Sequence, residues 1–142
     1  MRLFLDANVL FSACHSSNGR SLALFRLAEI GRCTLCASSH VVEEARRNLV
    51  TRSTADIADF DRLVEQLERT AEAPAKLVRW AGEHDLGAND APVLAAAVVG
   101  RADFLVTGDR THFDGLFGRE FGGVTVLSLC QALDRLLEPD DR

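Results

Sequence analysis

The sequence predicts an α/β domain of three layers, a parallel central sheet flanked by helices. Short, continuous apolar runs at residues 2–6, 33–37, 103–106 and 124–127 alternate with stretches of helical spacing. Strands that are apolar throughout belong to sheets covered on both faces, which is the condition of a parallel sheet. The length, 142 residues, suits one domain with one core, and 47% hydrophobic content supplies enough apolar surface to offset the entropy of ordering. Residues 1–142 are therefore expected to form a single domain, with its core over about 1–130 and a C-terminal helix and acidic tail over 129–142.

The elements follow in order. Residues 2–6 read as a buried first strand ending in the carboxylate of Asp6. A helix can open at Asn8 and run to Cys14, and His15-Ser16-Ser17-Asn18-Gly19 has the composition of a loop. Residues 21–30 place Leu22, Phe25 and Ile30 at helical spacing and stop at Gly31. Residues 33–37 are the second strand, and Ser38-Ser39 offers an N-cap for a helix reaching about Leu49. Residues 54–72 are expected to be a longer amphipathic helix, with Ile57, Phe60, Leu63, Val64 and Leu67 on one side, ended by Pro74. Residues 75–80 fit a short strand or a helical turn equally well. Gly87-Ala88-Asn89-Asp90 leads into residues 91–99, apolar nearly all round and so a buried helix, with Pro92 tolerated in its first turn. Residues 103–106 and 124–127 are further strands, and residues 129–137 the last helix.

Composition excludes several function classes. No apolar run approaches the ~18 residues of a membrane span. Asp6 interrupts the start too early for a signal peptide, so a cytoplasmic location is expected. Sixteen Lys+Arg against 21 Asp+Glu give a formal charge of −5, so a nucleic-acid partner would have to be held by a local patch or by metal ions. Cys14, Cys33, Cys36 and Cys130 are too scattered for a disulfide framework. Cys33-Thr34-Leu35-Cys36 lacks the second pair of a zinc site and reads as buried thiols. His15, His40, His84 and His112 lie in separate segments, which leaves nucleophilic catalysis unsupported. There is no phosphate-cradling glycine loop, and the only lysine is Lys76.

The carboxylates are more informative. Ligands of open α/β sheets bind outside the carboxyl ends of the strands, and Asp6 and Asp109 fall there by sequence alone. Asp103 opens the strand that Asp109 follows and belongs to the opposite edge. In the helix after the second strand, Val41, Val42, Ala45 and Leu49 form the buried stripe. Glu44 lies roughly 110° from its centre and Glu43 roughly 150°, so Glu44, with Asn48 a turn further on, borders the core. Asp90 begins the buried helix, where a carboxylate serves equally as an N-cap. Each acid alone reads as structural or solvated. Together they would repel one another strongly unless a divalent cation neutralised them, and oxygen-only ligands favour Mg²⁺ or Mn²⁺. Arg47, about 60° from Glu44 on the same helix, could reach a phosphate or simply face water. Arg20 and Arg110, near loops, carry the same ambiguity.

Four stretches resemble the PIN-domain nucleases, in particular the branch related to the VapC toxins of bacterial toxin–antitoxin pairs. They are Leu3-Phe4-Leu5-Asp6-Ala7-Asn8-Val9-Leu10, Val41-Val42-Glu43-Glu44-Ala45-Arg46-Arg47-Asn48-Leu49, Asn89-Asp90-Ala91-Pro92-Val93-Leu94-Ala95-Ala96-Ala97 and Phe104-Leu105-Val106-Thr107-Gly108-Asp109. The resemblance spans about residues 1–130 and implies a PIN-like fold and a metal-dependent, single-strand-directed endoribonuclease. It implies that Asp6, Glu44, Asp90 and Asp109 are the catalytic acids that bind Mg²⁺ or Mn²⁺, steadied by Asn8 and Thr107. Asp114, five residues past Asp109, could help hold a second metal. His112-Phe113 also looks familiar for this branch, without a role for His112. The resemblance further implies an RNA substrate, a small antitoxin partner and, as in many members, a homodimer, for which the apolar surfaces of residues 21–30 or 57–67 are candidates.

Two other readings compete. A small-molecule phosphohydrolase would want a second Asp two residues after Asp6 and a lysine near phosphate, where this chain has Asn8 and no suitable lysine. A catalytically silent RNA- or protein-binding module would have to keep a costly cluster of unpaired acids.

Overall fold

The computed structural model describes residues 1–15, 19–52, 57–84, 86, 90–108 and 114–138. Its elements are β1 (Arg2–Leu5), α1 (Ala7–His15), α2 (Arg20–Glu29), β2 (Thr34–Ser38), α3 (Ser39–Arg52), α4 (Ile57–Glu65), β3 (Glu68–Thr70), α5 (Ala75–Gly82), α6 (Ala91–Val99), β4 (Phe104–Thr107), a 3-10 turn (Asp114–Leu116), β5 (Glu120–Phe121), β6 (Val124–Ser128) and α7 (Leu129–Leu137). One sheet has the order β3-β2-β1-β4-β6-β5. All its pairings are parallel except β5 with β6. Helices cover both faces, which gives the three-layer α/β/α architecture.

The topology follows from handedness. The chain steps from β1 to β2 to β3 in one direction, then crosses back to β4 on the other side of β1. Right-handed crossovers put connections that run in opposite directions on opposite faces. Accordingly α1, α2, α3, α4 and α7 pack on one another in one layer, and α5 and α6 pack together in the other. The reversal between β1 and β4 is a topological switch point, where a crevice opens at the carboxyl ends of the strands.

The core justifies the apolar runs. Leu3, Phe4, Leu5, Leu105 and Val106 are fully buried, as are Ala95, Ala96 and Ala97 of α6, whose small side chains suit a helix buried on nearly every side. Cys33 and Cys36 are buried free thiols, and burial raises the pKa of both.

The expected helix over residues 54–72 is corrected. Residues 53–56 lie outside the described residues. From Ile57 the helix runs only to Glu65, tightening at its end as Leu67 N–H bonds to the Val64 carbonyl at 3.0 Å. Glu68–Thr70 then pairs with Cys36, Ala37 and Ser38 of β2 as an edge strand. Glu68 and Arg69 are exposed there, so this strand carries no apolar run. Residues 75–80 belong to α5, for which Pro74 is the N-cap. A short hairpin had no counterpart in the strand pattern. Phe121 pairs with Val124 across Gly122-Gly123, whose φ angles of +57° and +88° fit a type I′ turn. A Cβ at Gly122 would lie 3.0 Å from the Trp80 ring, so glycine is also needed there for close approach.

Candidate active site

The site is assembled where β1 and β4 end side by side. Asp6 extends the ladder by donating its N–H to the Val106 carbonyl at 3.0 Å, and its own carbonyl receives Val9 N–H at 3.1 Å to start α1. Asp6 is only 6% exposed. Its Oδ1 accepts from Ala7 N–H at 2.7 Å and its Oδ2 from the Thr107 hydroxyl at 2.9 Å. Asn8, half-buried in the first turn of α1, joins the two strand ends. Its Oδ1 accepts from Gly108 N–H at 2.9 Å and its Nδ2 donates to the Thr107 hydroxyl at 3.4 Å. The pattern Asp-x-Asn followed by Thr-Gly thus closes a small polar bridge between the central strands.

The electrostatics run against this carboxyl. Burial is the largest influence and raises the Asp6 pKa, the two hydrogen bonds lower it, and the nearby charges of Asp90 and Glu44 raise it again. The outcome is a rise from 3.8 to about 6. Glu44 reaches this edge from α3 as a half-buried side chain, whereas Glu43 is exposed, as the helix geometry predicts. Asp90 precedes α6 and its carbonyl accepts from Val93 and Leu94 N–H, yet its side chain makes no capping bond. Its charge is felt at Asp6, whose pKa it raises. Three acids, one just past β1, one on α3 and one just before α6, share one electrostatic neighbourhood.

Other expected site residues fall differently. Asp109, His112 and Arg110 lie outside the described residues. Asp114 opens the 3-10 turn after them. Arg47 is exposed on α3, while its neighbour Arg46 is engaged with Asp61 at 2.8 Å and stacks over Phe60. Among the described residues, no group of three or more His, Cys, Asp or Glu side chains is gathered closely enough to hold a metal ion. Asp103 sits at the opposite edge, where it accepts the Arg2 backbone N–H at 2.7 Å. Arg20, which the sequence leaves open between a phosphate contact and a solvated charge, has a partner that the sequence does not signal. Its Nη1 donates to Cys130 Sγ at 2.9 Å, a partner 110 residues away that no local pattern signals.

Residues 2–111 match the PIN-domain family. Comparison with curated proteins finds no match. Among solved structures, VapBC2 from Rickettsia felis bound to a DNA fragment from their promoter is similar with a TM-score of 0.65 at 19% identity, over 90% of this chain and 98% of that one. PAE2754 from Pyrobaculum aerophilum is similar with a TM-score of 0.66 at 19% identity, over 96% of this chain and 89% of that one. FitAcB from Neisseria gonorrhoeae gives a TM-score of 0.54 at 17% identity, over 90% of this chain and 98% of that one. At these identities the likeness concerns the fold. The family match covers most of the chain and runs from β1 past the strand end that binds Asp6, and the chain belongs to the PIN-domain family.

Proposed function

We infer that this protein is a metal-dependent endoribonuclease that hydrolyses phosphodiester bonds of single-stranded RNA, and that it is the toxin of a bacterial toxin–antitoxin pair. The observation that carries the reading is Asp6, a buried carboxyl at the switch point whose pKa is pushed up to about 6 by burial and by Asp90 and Glu44. A carboxyl perturbed by burial and by neighbouring charges in a crevice is a mark of a functional site. The likeness to VapBC2, a complex bound to a DNA fragment from their promoter, favours the toxin role and an antitoxin partner; a homodimer and a cytoplasmic location belong to the same proposed reading. Among the described residues, no helix is long and apolar enough to cross a membrane.

The donor chemistry fits a hard divalent cation, because every candidate ligand is a carboxylate and the field around Asp6 is one a cation relieves. Asp6, Glu44, Asp90 and Asp109 would hold Mg²⁺ or Mn²⁺, with Asp114 available to a second ion, and the metal would supply a more acidic water and a clamp on the phosphodiester. The chain's own groups prepare that site. Thr107 O–H and Ala7 N–H each bind one Asp6 oxygen, which favours the ionised carboxylate and fixes its rotamer. Asn8 holds Gly108 N–H and thereby the strand end that leads to Asp109. Arg47, exposed on the helix that carries Glu44, is suited to a backbone phosphate.

Incubation of the protein with labelled single-stranded RNA and Mn²⁺ tests the reading. Cleavage should require the metal, stop with EDTA, and vanish in Asp6→Asn and Asp109→Asn proteins that remain folded. Full activity in either variant would remove the assignment. A silent binding module is the second reading, favoured by the lack of a closed three-acid group among the described residues. Absence of Mn²⁺ affinity in calorimetry would favour it instead. The phosphohydrolase reading is weaker, since Asn8 is committed to Gly108 and Thr107, and Lys76 is exposed on α5.

A further inference from the structure

A cleft of about 140 Å³ lies beside Thr107, on the side away from β1. Thr107 and Gly108 form one wall, Ser128 and Cys130 the other, and Phe117 and Arg20 close it. Thr107 and Ser128 are ladder partners, so the cleft is one strand removed from Asp6. Arg20 is exposed, and its one hydrogen bond among the described residues goes to Cys130 Sγ. A thiol is a weak acceptor, so among the described residues most of the guanidinium fork is unspent. Other arginines are better satisfied: Arg2 pairs with Glu68, Arg46 with Asp61, Arg62 with Asp59, and Arg32 donates to the Leu136 carbonyl. Arg20 has no carboxylate partner among the described residues. The N–H groups of Ser128 and Gln131 are already taken by the capping box of α7, so among the described lining residues the positive charge is that of Arg20.

We propose that Arg20 and this cleft form a phosphate subsite for the nucleotide that flanks the scissile bond of single-stranded RNA. A polyanion approaching a chain of net charge −5, next to acids, needs a local cation. Arg20 stands beside the strand end that binds Asp6, and its planar fork suits a phosphodiester. Phe117 gives the same cleft an apolar wall for the attached sugar or base. The subsite rests on the ribonuclease reading above.

The test is the salt dependence of binding of a fluorescein-labelled ten-nucleotide oligouridylate, measured by anisotropy with Mn²⁺ present. Asp6→Asn protein, which leaves the RNA intact, is compared with the same protein carrying Arg20→Gln or Arg20→Lys. Arg20→Gln should weaken binding about fivefold at low salt, the size of one partly exposed charge contact. It should also reduce the slope of log affinity against log salt by about 0.7, the share of one phosphate on a single strand. Arg20→Lys should keep that slope. Unchanged affinity and slope in Arg20→Gln, with tight binding by the parent, overturn the subsite and leave the ribonuclease reading standing. Failure of the parent to bind RNA overturns both.

Discussion

The two edges of the sheet treat charge in opposite ways. At the amino edge Arg2 pairs with Glu68 at 2.9 Å, donates to the Gly100 carbonyl at 2.9 Å and gives its backbone N–H to Asp103. The Arg2 pKa is raised, chiefly by the hydrogen bond to Glu68. At the carboxyl edge Asp6 is buried beside two further acids, and among the described residues it forms no salt bridge. One edge is satisfied by the chain itself, and the other keeps like charges together. A fold tolerates that kind of local conflict where function requires it.

Breaking the carboxyl edge should have the largest effect. Asp6→Asn should reduce RNA cleavage by about a hundredfold or more in a Mn²⁺ assay, as expected for loss of a ligand that orders the reacting groups. In metal-free protein the same change should be stabilising at neutral pH. The folded pKa of Asp6, about 6, lies above its ordinary value of 3.8, so this carboxyl's favourable contribution is complete below pH 3.8 and is lost as pH rises through 6. Relative to Asp6→Asn, the metal-free wild type should lose up to roughly 3 kcal/mol between pH 4 and pH 7.5, read from urea unfolding at each pH. An equal pH dependence in the two proteins would show that Asp6 does not bear this load. Addition of Mn²⁺ at pH 7.5 should raise the unfolding midpoint of the wild type, EDTA should reverse it, and Asp6→Asn should respond less.

Smaller changes sharpen the contrast. Glu44→Gln should slow cleavage about tenfold, while exposed Glu43→Gln should leave it within twofold of wild type, the scale of one ligand against a solvated charge. A reversal of that order in the same assay would refute the helix-face argument. Thr107→Val removes the hydroxyl donor to Asp6 and should cost about 1–2 kcal/mol in urea unfolding above pH 6, and less at pH 4, where Asp6 is protonated. At the amino edge, Arg2→Met should cost about 1 kcal/mol at most, because Arg2 and Glu68 are partly exposed and screened, and should leave cleavage untouched.

The legibility of the sequence follows burial. Strands β1, β2, β4 and β6 announce themselves because central parallel strands must be apolar on both sides. Strands β3 and β5 do not, since an edge strand of Glu68, Arg69 and Thr70 has no apolar run to detect. The helical stripe that ends in Leu67 also masks the point where α4 stops. Helix α5 stays undecided from sequence because Pro74 reads equally as the end of one element and the start of the next. Asp6 and Thr107 are visible at the site because strand ends can be read directly, and Glu44 because helix geometry separates it from Glu43. Arg20 stays ambiguous from sequence because its partner Cys130 comes from the far end of the chain.

The brevity of the outer strands has a consequence for assembly. Strand β3 has three residues and carries exposed Glu68 and Arg69, and β5 has two and begins with exposed Glu120. A foreign strand finds neither the length nor the bare backbone it would need for augmentation. Sheet-to-sheet joining of two copies is thereby disfavoured at both edges.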